Sequence, residues 1–299
     1  MTLKICSERG TYYPQTGGQG SILYRKGKFS ETVKGFTEDG HPVIIKKLTP
    51  ALRNNADAVK RFLAEASIPA SHPGLVSALD AFEFESDYYV IRAYAEGHSL
   101  RNQILTPSSA VQVMLKVLDT LHYLHRQQII HSDIRPDNII YNGGEVKLID
   151  LGLAKTPAYS ATQVPFSLIY SSPEQVLQLH ELVNPTSDVY SLGITLYELL
   201  TGKPAFHHAH PEKLMHVMLN MPLAPHKKIR QELFEVILKA TARKPFRKPP
   251  HLMPAEERMQ QVREGQELRY ADAEAMKTAL SKVEVKEEGS GLWRKWWGR

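Results

Sequence analysis

The chain has 299 residues, a net charge of +5 and an apolar share of 42%. That balance excludes a disordered or collagen-like chain, and the single cysteine, Cys6, excludes an internal disulfide. The length exceeds one average domain, so one large domain or two coupled lobes is the starting expectation. A lone thiol fits a reducing compartment, and the first ten residues lack the apolar core of a secretory signal. Residues 189–200, the most apolar stretch, are interrupted by Ser191, Thr195 and Glu198 and are too short to span a bilayer. A cytoplasmic protein is therefore expected.

In chain order, residues 21–24, 42–48 and 88–93 are β-branched or aromatic runs bounded by Gly, Asp or Pro, and they predict strands. Residues 57–67 have helical spacing, with Val59, Phe62, Leu63 and Ala66 on one side. Residues 95–98 read as a connector. Residues 110–126 predict a helix whose buried face carries Val113, Met114, Val117, Leu118, Leu121 and Leu124. Two short strands, 139–141 and 146–149, flank the turn Asn142-Gly143-Gly144. Helices follow from about residue 188. Residues 245–268 read as an inserted loop with a short helix, and Gly289-Ser290-Gly291 sets off an aromatic tail. Strands first and helices second predict an α+β chain in two lobes.

Candidate chemistry begins at Gly17, Gly18 and Gly20, ahead of Ile22. Such a loop lets backbone amides approach phosphate oxygens, although the segment taken alone reads first as a plain glycine-rich hairpin. The strand Val43-Ile44-Ile45 delivers Lys46, and the next helix offers Glu65 to hold that lysine extended. The decisive segment is His131-Ser132-Asp133-Ile134-Arg135-Pro136-Asp137-Asn138, followed by Ile149-Asp150-Leu151-Gly152. Asp133, Asn138 and Asp150 bring two carboxylates and an amide to one hairpin mouth. That oxygen-donor set suits Mg²⁺, a hard ion that also takes substrate phosphates.

At these motifs the chain resembles the protein kinase family, over about residues 12–280. Ser172-Pro173-Glu174 and Ser187-Asp188-Val189-Tyr190-Ser191-Leu192-Gly193 extend the likeness, with Tyr190 where the family usually has tryptophan. The resemblance implies a two-lobed kinase-like fold, with a β-rich N-lobe at 10–92, a hinge at 93–97, a helical C-lobe at 98–285 and a tail at 286–299. It implies ATP and Mg²⁺ as cofactors and transfer of a phosphoryl group to Ser or Thr of a protein substrate. Lys46 would contact phosphates and pair with Glu65, and Asp133 would orient the substrate hydroxyl. Asn138 and Asp150 would bind the metal. Arg135, where lysine is usual, would neutralise transferring charge, and Arg269 would pair with Glu174, Arg247 being the weaker candidate. Gly17, Gly18, Gly20, Ile22, Ile44, Ala93 and Ala95 would line the nucleotide site. Ser167, seven residues before Glu174, stands where serine/threonine kinases carry threonine.

The chain departs from the family pattern elsewhere too. Gln15 replaces the first loop glycine and Ile44 the alanine over the adenine. Arg92 places a cation at the back of the pocket, and a buried cation needs a partner, which the 83–87 region could supply. Ser132 replaces the arginine that often pairs with a phosphorylated activation loop, so activity without such phosphorylation is expected. A nucleotide-binding scaffold without catalysis and a small-molecule kinase of related fold are the alternatives. The second is disfavoured because the Ser172 and Ser187 segments look like peptide-docking apparatus.

The charge is unevenly placed. Arg243, Lys244, Arg247 and Lys248 form one basic cluster, and Arg294, Lys295 and Arg299 another; the rest of the chain has 30 basic and 32 acidic residues. The overall positive charge is therefore no argument for a nucleic-acid partner. On a helix Trp293, Trp296 and Trp297 would share one face opposite the tail's cations, as suits an anionic membrane surface or a partner groove.

Overall fold

The computed structural model describes residues 4–17, 20–21, 23–27, 29–157 and 168–285. Its N-terminal part is a strand region of β1 (Ile5–Cys6), β2 (Thr11–Pro14), β3 (Thr16–Gly17), β4 (Gly20–Ser21), β5 (Leu23–Lys26), β6 (Ser30–Thr37), β7 (Pro42–Leu48), β8 (Ala78–Phe84) and β9 (Asp87–Ala93). An antiparallel sheet runs in the order β1-β2-β6-β7-β9-β8, with β5 also paired to β6. The expected strand at 21–24 is divided between β4 and β5, and Ile22 lies outside the described residues. β6 has no counterpart in the sequence pattern. Its side chains are mostly half-buried on both faces, so the segment carries no apolar alternation.

The register of β7 decides what faces the cleft. Val43 and Ile45 point into an outer core with Ile5, Tyr12, Tyr89 and Ile91. Alternation then puts Ile44 and Lys46 on the opposite face. Across the ladder Ile44 stands opposite Arg92 and Lys46 opposite Val90, so all four share that inner face. Helix α1 (Ala56–Ala64) packs there, with Phe62 against Leu48 and Val90. Its first turn is fixed by Asn55, whose side chain accepts from the Ala58 amide at 3.0 Å. The helix tightens into a 3₁₀ turn over Glu65–Ser67, within the span expected as helix.

The second part is largely helical: α2 (Pro107–Arg126), α3 (Pro173–Val176), α4 (Pro185–Thr201), α5 (Pro211–Asn220), α6 (Gln231–Ala240), α7 (Ala255–Glu267) and α8 (Ala273–Leu280). A small sheet of β10 (His98–Ser99), β11 (Ile139–Asn142) and β12 (Glu145–Leu148) lies beside it, its hairpin turning at Gly143 and Gly144, both with positive φ. The apolar stripe expected on α2 is fully buried, and α2 packs against α4 and α8. Thr106 caps α2 and an Asn184–Ser187 capping box starts α4, each with proline at the first helical position. Residues 245–268 are more ordered than a loop with a short helix. α7 takes 13 of them and buries Val262 against Leu179 and Leu182. Its sequence hides this because Val262 and Met259 are the only large apolar side chains that α7 contributes there. The sheet-then-helix arrangement is the α+β order that the sequence predicts. Among the described residues no helix is long and apolar enough to cross a membrane. The tail at 286–299 lies outside the described residues.

Candidate active site

Between the two parts lies a cavity of about 280 Å³, lined among others by Ile44, Lys46, Arg92, Ala93, Ala95 and Asp150. The linker that forms its edge is pinned at Gly97. There φ is +115°, and a Cβ would stand 2.3 Å from the Tyr141 carbonyl oxygen, so glycine alone fits. A larger open depression of about 930 Å³ lies along α2 near His72 and Lys147, away from these groups. The smaller cavity is the stronger candidate because the titratable cluster converges on it.

At the sheet end, Lys46 Nζ lies 2.7 Å from Glu65 Oε2 and 2.8 Å from Asp150 Oδ1. Burial works against the ammonium charge, but Asp150 and Glu65 together outweigh it, so the lysine pKa sits above its ordinary value. Arg92 is also buried here, and its Nε is 2.9 Å from Glu65 Oε1. Its partner is thus Glu65 and not the 83–87 region. Asp87, in that region, pairs with Lys47 at 2.5 Å.

At the helical end, Asn138 Nδ2 donates to the Asp133 side chain at 2.8 Å and to the Asp133 carbonyl at 2.9 Å. The other end of that amide is an oxygen. Burial, with Asp150 adding to it, raises the Asp133 carboxyl above the ordinary aspartate value. Asp150 itself has φ +67°, a left-handed conformation uncommon for aspartate, at the end of the β12 hairpin. Arg135 donates to Asp137 from Nε at 3.0 Å and from Nη2 at 2.7 Å, and its guanidinium lies 5.3 Å from the Tyr170 ring centre. The cation expected to serve a transferring group is thus already paired.

The donor set fits Mg²⁺. Asp150 and Asn138 offer hard oxygens. Among the described residues no group of three or more His, Cys, Asp or Glu could hold a metal alone. A site with few protein oxygens matches an ion that completes its shell with water and phosphate oxygens. The glycine-rich segment is a hairpin in which Gly17 pairs with Gly20, and Gly18 lies outside the described residues.

Several supporting residues make contacts that the sequence does not show. Asp188 accepts the amides of His131 and Ser132, each at 2.8 Å, and pairs with His125 Nε2 at 2.9 Å. Gln175 donates to the Ser132 carbonyl at 2.8 Å. Arg61, buried on α1, donates to the Gly152 carbonyl at 3.1 Å. Asp188 stands in the Ser187–Gly193 segment that carries the resemblance, but nothing in that segment names the amides it accepts. Arg269, by contrast, sits as expected, with both guanidinium nitrogens on Glu174 at 2.8 and 3.1 Å. Burial would raise the Glu174 carboxyl, but Arg269 outweighs it and holds it below its ordinary value.

Comparison with known proteins places this geometry. Residues 25–259, well over half of the chain, match the protein kinase domain family. The chain is 35% identical over 220 residues to the serine/threonine-protein kinase PrkC of Bacillus subtilis, covering 68% of this chain and 34% of that protein. It is 33% identical over 225 residues to the serine/threonine-protein kinase PknB of Mycobacterium tuberculosis, covering 68% of this chain and 36% of that protein. The chain thus spans about a third of the length of these relatives. With its two-part fold, its cleft and a family match over most of its length, the chain belongs to the protein kinase family.

Proposed function

We propose that the chain transfers the γ-phosphoryl group of Mg-ATP to Ser or Thr hydroxyls of a protein substrate. The observation that carries this reading is Lys46, held in the cavity wall between Glu65 and Asp150, with Asn138 bonding both Asp133 and the Ile149 amide next to Asp150. Phosphoryl transfer asks for charge neutralisation and in-line positioning more than for covalent chemistry. Lys46 supplies a fixed cation for phosphate oxygens. Asp133, oriented by Asn138, accepts the hydroxyl proton, and its raised pKa makes it a better base than an exposed aspartate. Asn138 and Asp150 hold Mg²⁺, which neutralises phosphate charge when bound. The glycine segment and residues 93–97 border the nucleotide, and these last residues divide an N-lobe from a C-lobe.

We assign no obligatory role to activation-loop phosphorylation. Position 132 carries no cation, and Asp188 and Gln175 already hold its backbone. The cation at the back of the pocket has its counter-charge in Glu65, which supports catalysis over a scaffold role. A cytoplasmic location fits the lone thiol, and the Trp-rich tail is a candidate contact for an anionic membrane or a partner. Flotation of the chain with liposomes, with and without residues 289–299, tests that; equal recovery removes the membrane version.

The central test is incubation with Mg-ATP and a generic basic protein, with phosphosites mapped and Asp150→Ala as control. Phosphoserine or phosphothreonine that disappears in the control is expected. No incorporation and no autophosphorylation would leave the scaffold reading. Replacing Thr156, Ser160 and Thr162 together by alanine is expected to keep most of the activity; near-complete loss with folding intact would end the phosphorylation-independent version.

A further inference from the structure

We propose that Arg92 is a positioning residue for phosphoryl transfer: it holds the Glu65 carboxylate in place for Lys46 from within the same lobe. The proposal rests on the roles assigned above to Lys46 and Glu65.

Three observations converge on Arg92. The first is register. Arg92 stands across the ladder from Ile44, two residues from Lys46, so its side chain leaves the sheet on the face that α1 covers. The second is bonding. Besides the 2.9 Å contact of Nε with Glu65 Oε1, Nη1 donates to the Val76 carbonyl at 2.8 Å and Nη2 to the Glu65 carbonyl at 3.3 Å. One guanidinium therefore bonds the residue 65 backbone and the chain just before β8, and it faces the Glu65 carboxylate as an ion pair, its Nε making no hydrogen bond among the described residues. A planar fork with fixed donors can do this, and a single ammonium cannot. The third is charge. Lys46, Glu65 and Arg92 are 6%, 2% and 5% exposed. With Asp150 they make two cations and two carboxylates. Lys46 must divide itself between Glu65, Asp150 and any phosphate that enters. Arg92 keeps Glu65 compensated while Lys46 turns to the phosphate.

The consequence concerns how α1 is kept in register with the site. Arg61 ties α1 to the Gly152 carbonyl, and Arg92 ties the end of the same segment to β9. Neither tie uses a phosphate or a cation at position 132.

The test compares Arg92→Met, Arg92→Lys, Glu65→Gln and the double variant Glu65→Gln/Arg92→Met, with melting temperatures and steady-state kinetics in ATP. Arg92→Met is expected to lower kcat about tenfold while KM for ATP moves by less than about twofold, because a misplaced Lys46 costs turnover more than binding. Arg92→Lys is expected to recover about a third of the lost turnover, keeping the charge but not the fork. In the double variant, turnover should fall within about twofold of Glu65→Gln alone, because Arg92 acts through Glu65. Wild-type kcat in Arg92→Met overturns the proposal, as do losses that multiply in the double variant. If Arg92→Met does not fold, Arg92→Lys decides, and unchanged kcat there overturns the proposal. Low turnover in Glu65→Gln beside normal turnover in Arg92→Met removes the Arg92 proposal alone. Full turnover in Glu65→Gln removes the site assignment and Arg92 with it.

Discussion

At the sheet end of the cleft, Lys46, Glu65 and Arg92 reach one another through long side chains from β7, the end of α1 and β9. At the helical end, Asp133 and Asn138 sit on a loop whose amides are gripped by Asp188, a short side chain fixed in the first turn of α4. The first cluster spends ionic groups on one another across separate elements. The second sets one carboxylate on two backbone donors and the His125 ring. A buried ion pair contributes little net stability, since desolvation offsets the attraction, whereas a buried amide left without an acceptor is costly. The sheet end is therefore built for charge placement and the helical end for rigidity.

Two substitutions can break that contrast, and the larger effect is on rate. Lys46→Met is expected to cost about a thousandfold in turnover by removing the fixed cation at the phosphates. Its effect on stability should stay within about 1 kcal/mol, because Glu65 keeps Arg92, and Asp150, which also loses Lys46, is partly exposed to water. Asp188→Ala should behave in the opposite way, losing about 3 kcal/mol of folding free energy as the amides of His131 and Ser132 lose their acceptor. Paired denaturant melts and initial rates check both. Equal stability losses would remove the distinction between the two ends.

The sequence revealed these two ends unequally. Lys46, Glu65, Asp133, Asn138 and Asp150 stand in segments whose order and local chemistry are visible in one dimension, and the fold gathers them at one cleft. The buried stripe of α2 was visible for the same reason, since its period is a local property. What stayed hidden depends on partners far apart in the chain. Arg92 could be seen to need a counter-charge, but Glu65 had already been assigned to Lys46, and one carboxylate shared by two cations leaves no mark in spacing. Arg61 has no mark in the apolar spacing of its helix, yet it is buried against Gly152 and Phe29. The half-buried strand β6 and the polar helix α7 lacked the apolar periodicity on which such expectations rest.

A smaller effect sharpens the account of the helical end. Burial first, and Asp150 second, raise the Asp133 carboxyl, while Arg135 lowers it. A general base works in its ionised form, so kcat/KM falls as pH drops through the Asp133 pKa. The acid limb of the profile should thus lie above the ordinary aspartate range. Arg135→Ala removes a cation that favours the carboxylate, so the limb should move to higher pH, and Arg135→Lys should move it back. Turnover on the plateau is expected to fall about tenfold in the alanine variant. An acid limb that stays in place would mean that Arg135 does not act on Asp133 and that Asp137 absorbs its charge.

The smallest expected effect lies two residues from Asp188 on the same helix. Tyr190 is fully buried, Arg269 lies 5.0 Å over its ring, and its hydroxyl has no hydrogen-bond partner among the described residues. Where Asp188 satisfies buried donors, Tyr190 brings a polar atom that no described residue satisfies. Tyr190→Phe keeps the ring under Arg269 and deletes only that atom, so it should leave activity unchanged and raise stability by up to about 1 kcal/mol. A denaturant midpoint that rises or holds, with an unchanged slope, is the expected reading. A loss above about 1 kcal/mol would show that a buried water bonds the hydroxyl and that the core of α4 is satisfied throughout. Opposite signs at positions 188 and 190, at equal burial, would show that burial alone does not set the cost of a polar group: what it bonds does.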